Sequence, residues 1–134
     1  FYLQLDAREL FIGGGVWMPS PELLKVMRTH IAAHHQEFRA ILAAKPLVKL
    51  MGEMEPQLLS RPPKGFLPED PAADLLRYKM FAFTSAQSSK IAESPKLLTA
   101  VSKRLEVLTP FLEFLNRPLM GAAKKQRDER SFSF

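Results

Sequence analysis

FYLQLDARELFIGGGVWMPSPELLKVM, residues 1–27, decides the fold class, because its hydrophobic period changes within one short stretch. From Phe1 to Asp6 the residues alternate: Phe1, Leu3 and Leu5 point one way, and Tyr2, Gln4 and Asp6 the other, which is the period of a β-strand. Asp6-Ala7-Arg8-Glu9 is polar enough to turn, and Leu10 to Met18 is an apolar run interrupted by Gly13-Gly14-Gly15. The two segments read as a β-hairpin with an irregular second strand, the glycines suggesting a bulge or a close backbone approach. At Ser20-Pro21-Glu22 a helix begins: the Ser hydroxyl caps a free N–H, Pro needs none at the first helical position, and Glu suits the positive end of the dipole. Leu23, Leu24, Met27 and Ile31 then share one face. The pattern predicts an α+β fold, with a small, mostly antiparallel sheet packed with helices.

Downstream, a second helix is expected from about Gln36, with Phe38, Ile41 and Leu42 inward, and a short one from Pro46 to Met51 that ends at Gly52. Glu53 to Pro71 holds five prolines and little periodicity, so it reads as a long ordered loop or a strand flanked by loop. Asp70-Pro71 starts a short helix through Leu76, and Tyr78 to Thr84 alternates like a strand. Ser94-Pro95 begins the last helix, in which Leu98, Val101, Leu105, Leu108, Leu112, Leu115 and Leu119 form one apolar stripe. Pro110 inside it is expected to kink or split the helix, at ~3 kcal/mol. One domain over 1–121 and a polar flexible tail over 122–134 complete the organisation.

Composition narrows the function classes. The chain of 134 residues is 46% hydrophobic and 25% charged, ordinary for a globular domain with a real core. Its net charge is +5, and the last thirteen residues hold four basic and two acidic side chains, so the remainder is only mildly basic. Such an excess favours weak attraction to polyanions without the concentrated stripe of a dedicated nucleic-acid binder. With no cysteine, a disulfide framework, a thiolate metal site and a cysteine nucleophile are excluded. No apolar run approaches a membrane span and no signal peptide opens the chain, which points to the cytoplasm and to no membrane partner. A strand already under way at Phe1 suggests further residues upstream.

Four residue groups invite a chemical reading. Gly13-Gly14-Gly15 fits neither phosphate-binding fingerprint: the dinucleotide motif needs Gly where Met18 stands, and a P-loop needs a Gly-Lys-Ser/Thr ending. His30 and His34 lie one helical turn apart with His35 beside them, but Ile31 stands where a zinc peptidase carries Glu and no third ligand is evident, so a solvated helix face is the simpler reading and no metal or cofactor is expected. Asp70 and Asp74 can be read as an acid/base pair, or as a cap before Pro71 and a partner for Arg77. Arg61 and Lys64 stand on a proline-stiffened loop, and Arg77 and Lys79 on one side of the following strand. If the loop folds over that strand, these four cations converge on a site for a phosphate or carboxylate. The alternative is local neutralisation, Asp74 pairing with Arg77 and Glu69 and Asp70 offsetting the loop.

Phe1-Tyr2-Leu3, Gly13-Gly14-Gly15-Val16-Trp17-Met18-Pro19, Arg61-Pro62-Pro63-Lys64-Gly65-Phe66, Pro71 with Leu75-Leu76-Arg77-Tyr78-Lys79, and Thr109-Pro110-Phe111 through Asn116 resemble, in the same order, a bacterial and fungal family catalogued as domain of unknown function 2461. The resemblance implies a further N-terminal portion with a charged Arg-Asp-x-Arg-Phe-type segment, so that this chain corresponds to the C-terminal part only. The expected function is a binding module for an anionic small molecule or nucleic acid through Arg61, Lys64, Arg77 and Lys79. An enzyme whose site is shared with the N-terminal portion, and a structural or interaction protein using the leucine-rich helix, are the alternatives.

Overall fold

The structure, a computed structural model, describes residues 1–5 and 8–131, with side chains through Leu119. Strand β1 (Tyr2–Leu5) pairs antiparallel with β2 (Glu9–Val16), and β2 with β3 (Phe81–Ser88), in the order β1-β2-β3. The helices are α1 (Pro21–Ala33), α2 (His35–Leu42), α3 (Lys45–Met51), α4 (Ala73–Leu76) and α5 (Leu97–Ser131), and a 3-10 turn at Ser89–Glu93 precedes α5. The fold is α+β, as expected. The expected tail from 122 lies beyond the described side chains.

The expected bulge in β2 is absent. Its register runs without a slip from Tyr2↔Gly13 to Leu5↔Leu10 on one side and from Glu9↔Ser88 to Val16↔Phe81 on the other. What the glycines provide is close approach. Without a side chain at Gly13, the Tyr2 ring lies over the strand and its hydroxyl reaches Thr84 Oγ1 of β3 at 3.1 Å. Gly15 has φ +129°, and a Cβ there would strike the Phe81 carbonyl. On the other face Gly14 lies against Leu108 and Leu112, so α5 packs directly on the central strand.

Ser20 Oγ accepts the Leu23 N–H at 3.2 Å and starts α1 as its sequence predicts, burying Met27 and Ile31. The core joins these to Phe38 of α2, Leu47 and Met51 of α3, Leu75 and Leu76 of α4, and Phe81 and Phe83 of β3. Phe111 and Phe114 of α5 close it: Phe38 stacks on Phe114 at 4.9 Å, and Phe83 meets Phe111 edge-on at the same separation.

One expectation for the last helix needs correction and another is narrowed. Its inward face is Ala100, Arg104, Leu108, Phe111, Phe114 and Leu115, whereas Leu98 is 75% and Leu105 42% exposed. Arg104 is tolerated inside because its Nε donates to Ser85 Oγ and its Nη1 to the Ala100 carbonyl. Of the two outcomes expected at Pro110, the split does not occur: α5 continues through it and through Pro118. Pro110 is on the exposed side, and the neighbours Leu108, Phe111, Phe114 and Leu115 are fully buried. Burial of four such side chains, about 1.5–3 kcal/mol each, outweighs the ~3 kcal/mol of an interior proline.

Candidate functional site

Residues 53–71 form a strap over the chain entering β3. The Glu55 N–H donates to the Ala82 carbonyl, the Lys79 N–H to Gln57 and the Leu59 N–H to Arg77, at 2.7–2.9 Å, around one antiparallel bridge between Leu58 and Tyr78. Prolines at 56, 62, 63, 68 and 71 lack the N–H groups a longer ladder requires, so the pairing stays local. The expected strand begins at Phe81 rather than Tyr78, because residues 77–79 belong to this crossing.

The crossing fixes part of the cationic group. Arg77 is half-buried and its Nε donates to the Leu59 carbonyl at 2.7 Å, so the loop does fold onto the strand entrance. Lys79, two residues along the chain from Arg77, is exposed. Arg61 and Lys64 are exposed on the strap beyond Leu59, where Phe66 N–H closes a turn on the Pro63 carbonyl and Gly65 takes φ +91°.

Local neutralisation by Asp74 does not occur. Asp74 pairs with Arg39 of α2 through two bonds, 2.6 Å and 2.9 Å, while Arg39 Nη2 also donates to the Pro71 carbonyl. The bond from Arg39 holds the Asp74 carboxyl below the usual carboxylate range. Asp70 Oδ1 accepts the Ala72 N–H at 2.8 Å, the cap-like role expected of it. Each carboxylate is engaged separately, which leaves the acid/base pair without a shared site.

The histidines gather at the junction of α1, α2 and α5. The His30 ring lies 4.8 Å from that of His34 and 4.5 Å from Phe114. Burial, then the charges of His34 and Arg117, lower the His30 pKa against the opposing effects of Glu37 and the Phe114 backbone. Glu37 is held by Arg117 through two bonds of 2.9 and 3.2 Å, and Arg117 lies over the Phe114 ring at 5.5 Å. Among the described residues no group of three histidine or acidic side chains is placed to hold a metal ion.

Sequence reasoning missed Arg28. It is buried on α1 and its Nη2 donates to the Tyr78 carbonyl at 2.9 Å, tying the helix to the strap crossing. The signal was present, since position 28 is four residues after Leu24 and three before Ile31, on the apolar face itself.

The model of a family described as "Conserved hypothetical protein (DUF2461)" matches residues 1–114. The chain belongs to this family. The DUF2461 match lies over the N-terminal and central region of the chain, which corrects the expectation of a C-terminal part only, and it includes the whole strap and Arg61, Lys64, Arg77 and Lys79. No curated protein and no solved structure matches the chain. Among the described residues no helix is long and apolar enough to cross a membrane.

Proposed function

We propose that the chain is a binding module for an anionic, phosphate- or carboxylate-bearing ligand, held by Arg61, Lys64, Arg77 and Lys79. The observation that carries this reading is the diversion of the nearby carboxylates: Asp74 is occupied by Arg39 and Asp70 by a backbone N–H. Among the described residues none of the four cations has an ion-pair partner. Arg77, steadied through Nε on Leu59, keeps its two terminal nitrogens outside that bond, and a guanidinium so oriented suits bidentate recognition of an oxyanion.

Titration with nucleic acid, nucleotide and inorganic phosphate at low salt tests it. For duplex DNA, four neutralised phosphates give a log–log salt slope of about −3.6, and each contact removed reduces its magnitude by about 0.9. Lys64→Gln with Arg77→Gln should remove most of the binding while leaving the unfolding free energy from urea melts within ~1 kcal/mol of wild type. Absence of binding to all three ligands overturns the proposal. The interaction-protein reading then gains weight from the exposed apolar side chains of Leu3 and Leu5 on β1 and Leu98 and Leu105 on α5.

A further inference from the structure

A concavity of about 420 Å³ opens between α2, α3, α4 and β3. Val48, Met54, Leu75 and Phe83 give it apolar walls, the last three buried. Its polar character comes from one rim. Gly52 ends α3 with φ +73°, and the residue after it, Glu53, lines the cleft as an exposed carboxylate with no ion-pair partner among the described residues. Tyr78 lines it too, and its hydroxyl has no hydrogen-bond partner among the described residues.

The charge of this cleft opposes that of the chain. Arg39 also lines it, but the two bonds to Asp74 cancel its charge, so Glu53 leaves the rim net negative on a protein of net charge +5. The C-terminal ends of α2 and α3, at Ala43 and Gly52, both border the cavity, and unpaired carbonyls at helix C-termini favour a cation. Burial, followed by the charges of Glu53 and Asp74, raises the Tyr78 pKa, which places both carboxylates within electrostatic reach of the phenol. An aromatic ring beside a carboxylate offers a cation a face as well as a counter-charge.

We infer that this cleft binds a small organic cation, a protonated amine carried on an apolar body, with the body against Leu75 and Phe83 and the ammonium between Glu53 and Tyr78. The volume is within the usual range for small-molecule sites, and the mixture of apolar wall and few polar groups is typical of them. The inference does not rest on the anion site, which uses other residues and the opposite charge.

Three ligands of similar shape separate the chemistry: phenethylamine, 2-phenylethanol and 3-phenylpropionate, each titrated into the 15N-labelled full chain. Phenethylamine should shift the amides of Gly52, Glu53 and Leu75, with the alcohol roughly tenfold weaker because it lacks the charge-assisted bond. The propionate should leave those amides unmoved. Glu53→Gln should weaken the amine by roughly tenfold, and Val48→Trp, at an exposed wall position, should block the amine and the alcohol. Urea melts confirm that both variants fold. The Lys64→Gln, Arg77→Gln double variant should bind the amine as wild type does, so the fates of the two sites are read separately. No shift with phenethylamine, equal binding of the propionate, or unchanged amine affinity in Glu53→Gln overturns the inference.

Discussion

Replacing Gly15 by alanine should destabilise the fold far more than the same change one residue earlier. At Gly15 the backbone has φ +129°, a conformation that costs an L-residue on the order of 1–3 kcal/mol. The new Cβ would also strike the Phe81 carbonyl and come within 2.6 Å of Ala82 Cα. Both obstacles are backbone of β3, which is laddered to β2 and cannot retreat without parting the sheet. Overpacking of this kind adds roughly 1–3 kcal/mol, so the total is about 2–6 kcal/mol against a typical domain stability of roughly 5–15. At Gly14 the Cβ meets the ends of Leu108 and Leu112, at 3.3 and 3.4 Å, and Phe1 Cα at 3.6 Å, an ordinary van der Waals contact. Those methyls can shift, and alanine also narrows the unfolded ensemble, so the change should stay within about 1 kcal/mol. Gly52 isolates the conformational part: φ is +73° and ψ −128° with nothing within 4 Å, so alanine should cost about 1–3 kcal/mol, without the overpacking added at Gly15. Urea melts of the three variants, compared at constant slope, give the ranking. A Gly15→Ala midpoint no lower than that of Gly14→Ala would falsify the close-approach account of the glycine run.

Phe38→Ala should cost roughly 3–5 kcal/mol in the same assay, since it removes the fully buried ring that meets Phe81, Phe111 and Phe114; a loss below 1 kcal/mol would count against this packing. The lowered pKa of His30 means that the unfolded chain binds the proton more readily, so its contribution is full above the usual histidine value of about 6.5 and declines as pH falls through the folded-state value. Melts at pH 7.5 and 5.5 should show this decline in wild type and a smaller one in His30→Leu, whereas Glu37 and Asp74, with lowered pKa values, lose theirs only in the more acidic carboxylate range. Asp74→Asn should cost at most about 1 kcal/mol, as expected of an exposed ion pair, and should leave phosphate affinity unchanged; a large change in that affinity would mean that Asp74 governs the cationic group after all.

Local signals carried the parts of the fold that local chemistry determines. The Ser20 cap, the Gly52 stop and the alternation of the first strand are each settled within a few residues, and each stands where the sequence puts it. The face of α5 is different in kind. Leucines spaced three and four apart make one seam, and Ala100, Arg104, Leu108, Phe111 and Leu115 make an equally regular neighbouring seam that shares Leu108 and Leu115. Periodicity cannot choose between them. Phe111 and Phe114 decide it, because aromatic rings bury more area than leucine and only this seam sets them against Phe38 and Phe83.

The charges follow the same logic, and this bears on the site. Spacing along the chain assigns Asp74 to Arg77, three residues away, because neighbours on a helix are the only partners a sequence displays. A four-residue helix scarcely presents such a face, and folding brings Arg39 from 35 positions away to take both carboxylate oxygens. Glu37 is likewise taken by Arg117, 80 positions away. Each long-range pair consumes an acid that local bookkeeping would have spent on a nearer base. With Asp74 on Arg39, Arg77 is left without the acid its spacing assigns to it, and among the described residues Arg61, Lys64 and Lys79 likewise stand outside any ion pair, an outcome set by where the acids went rather than by where the bases are.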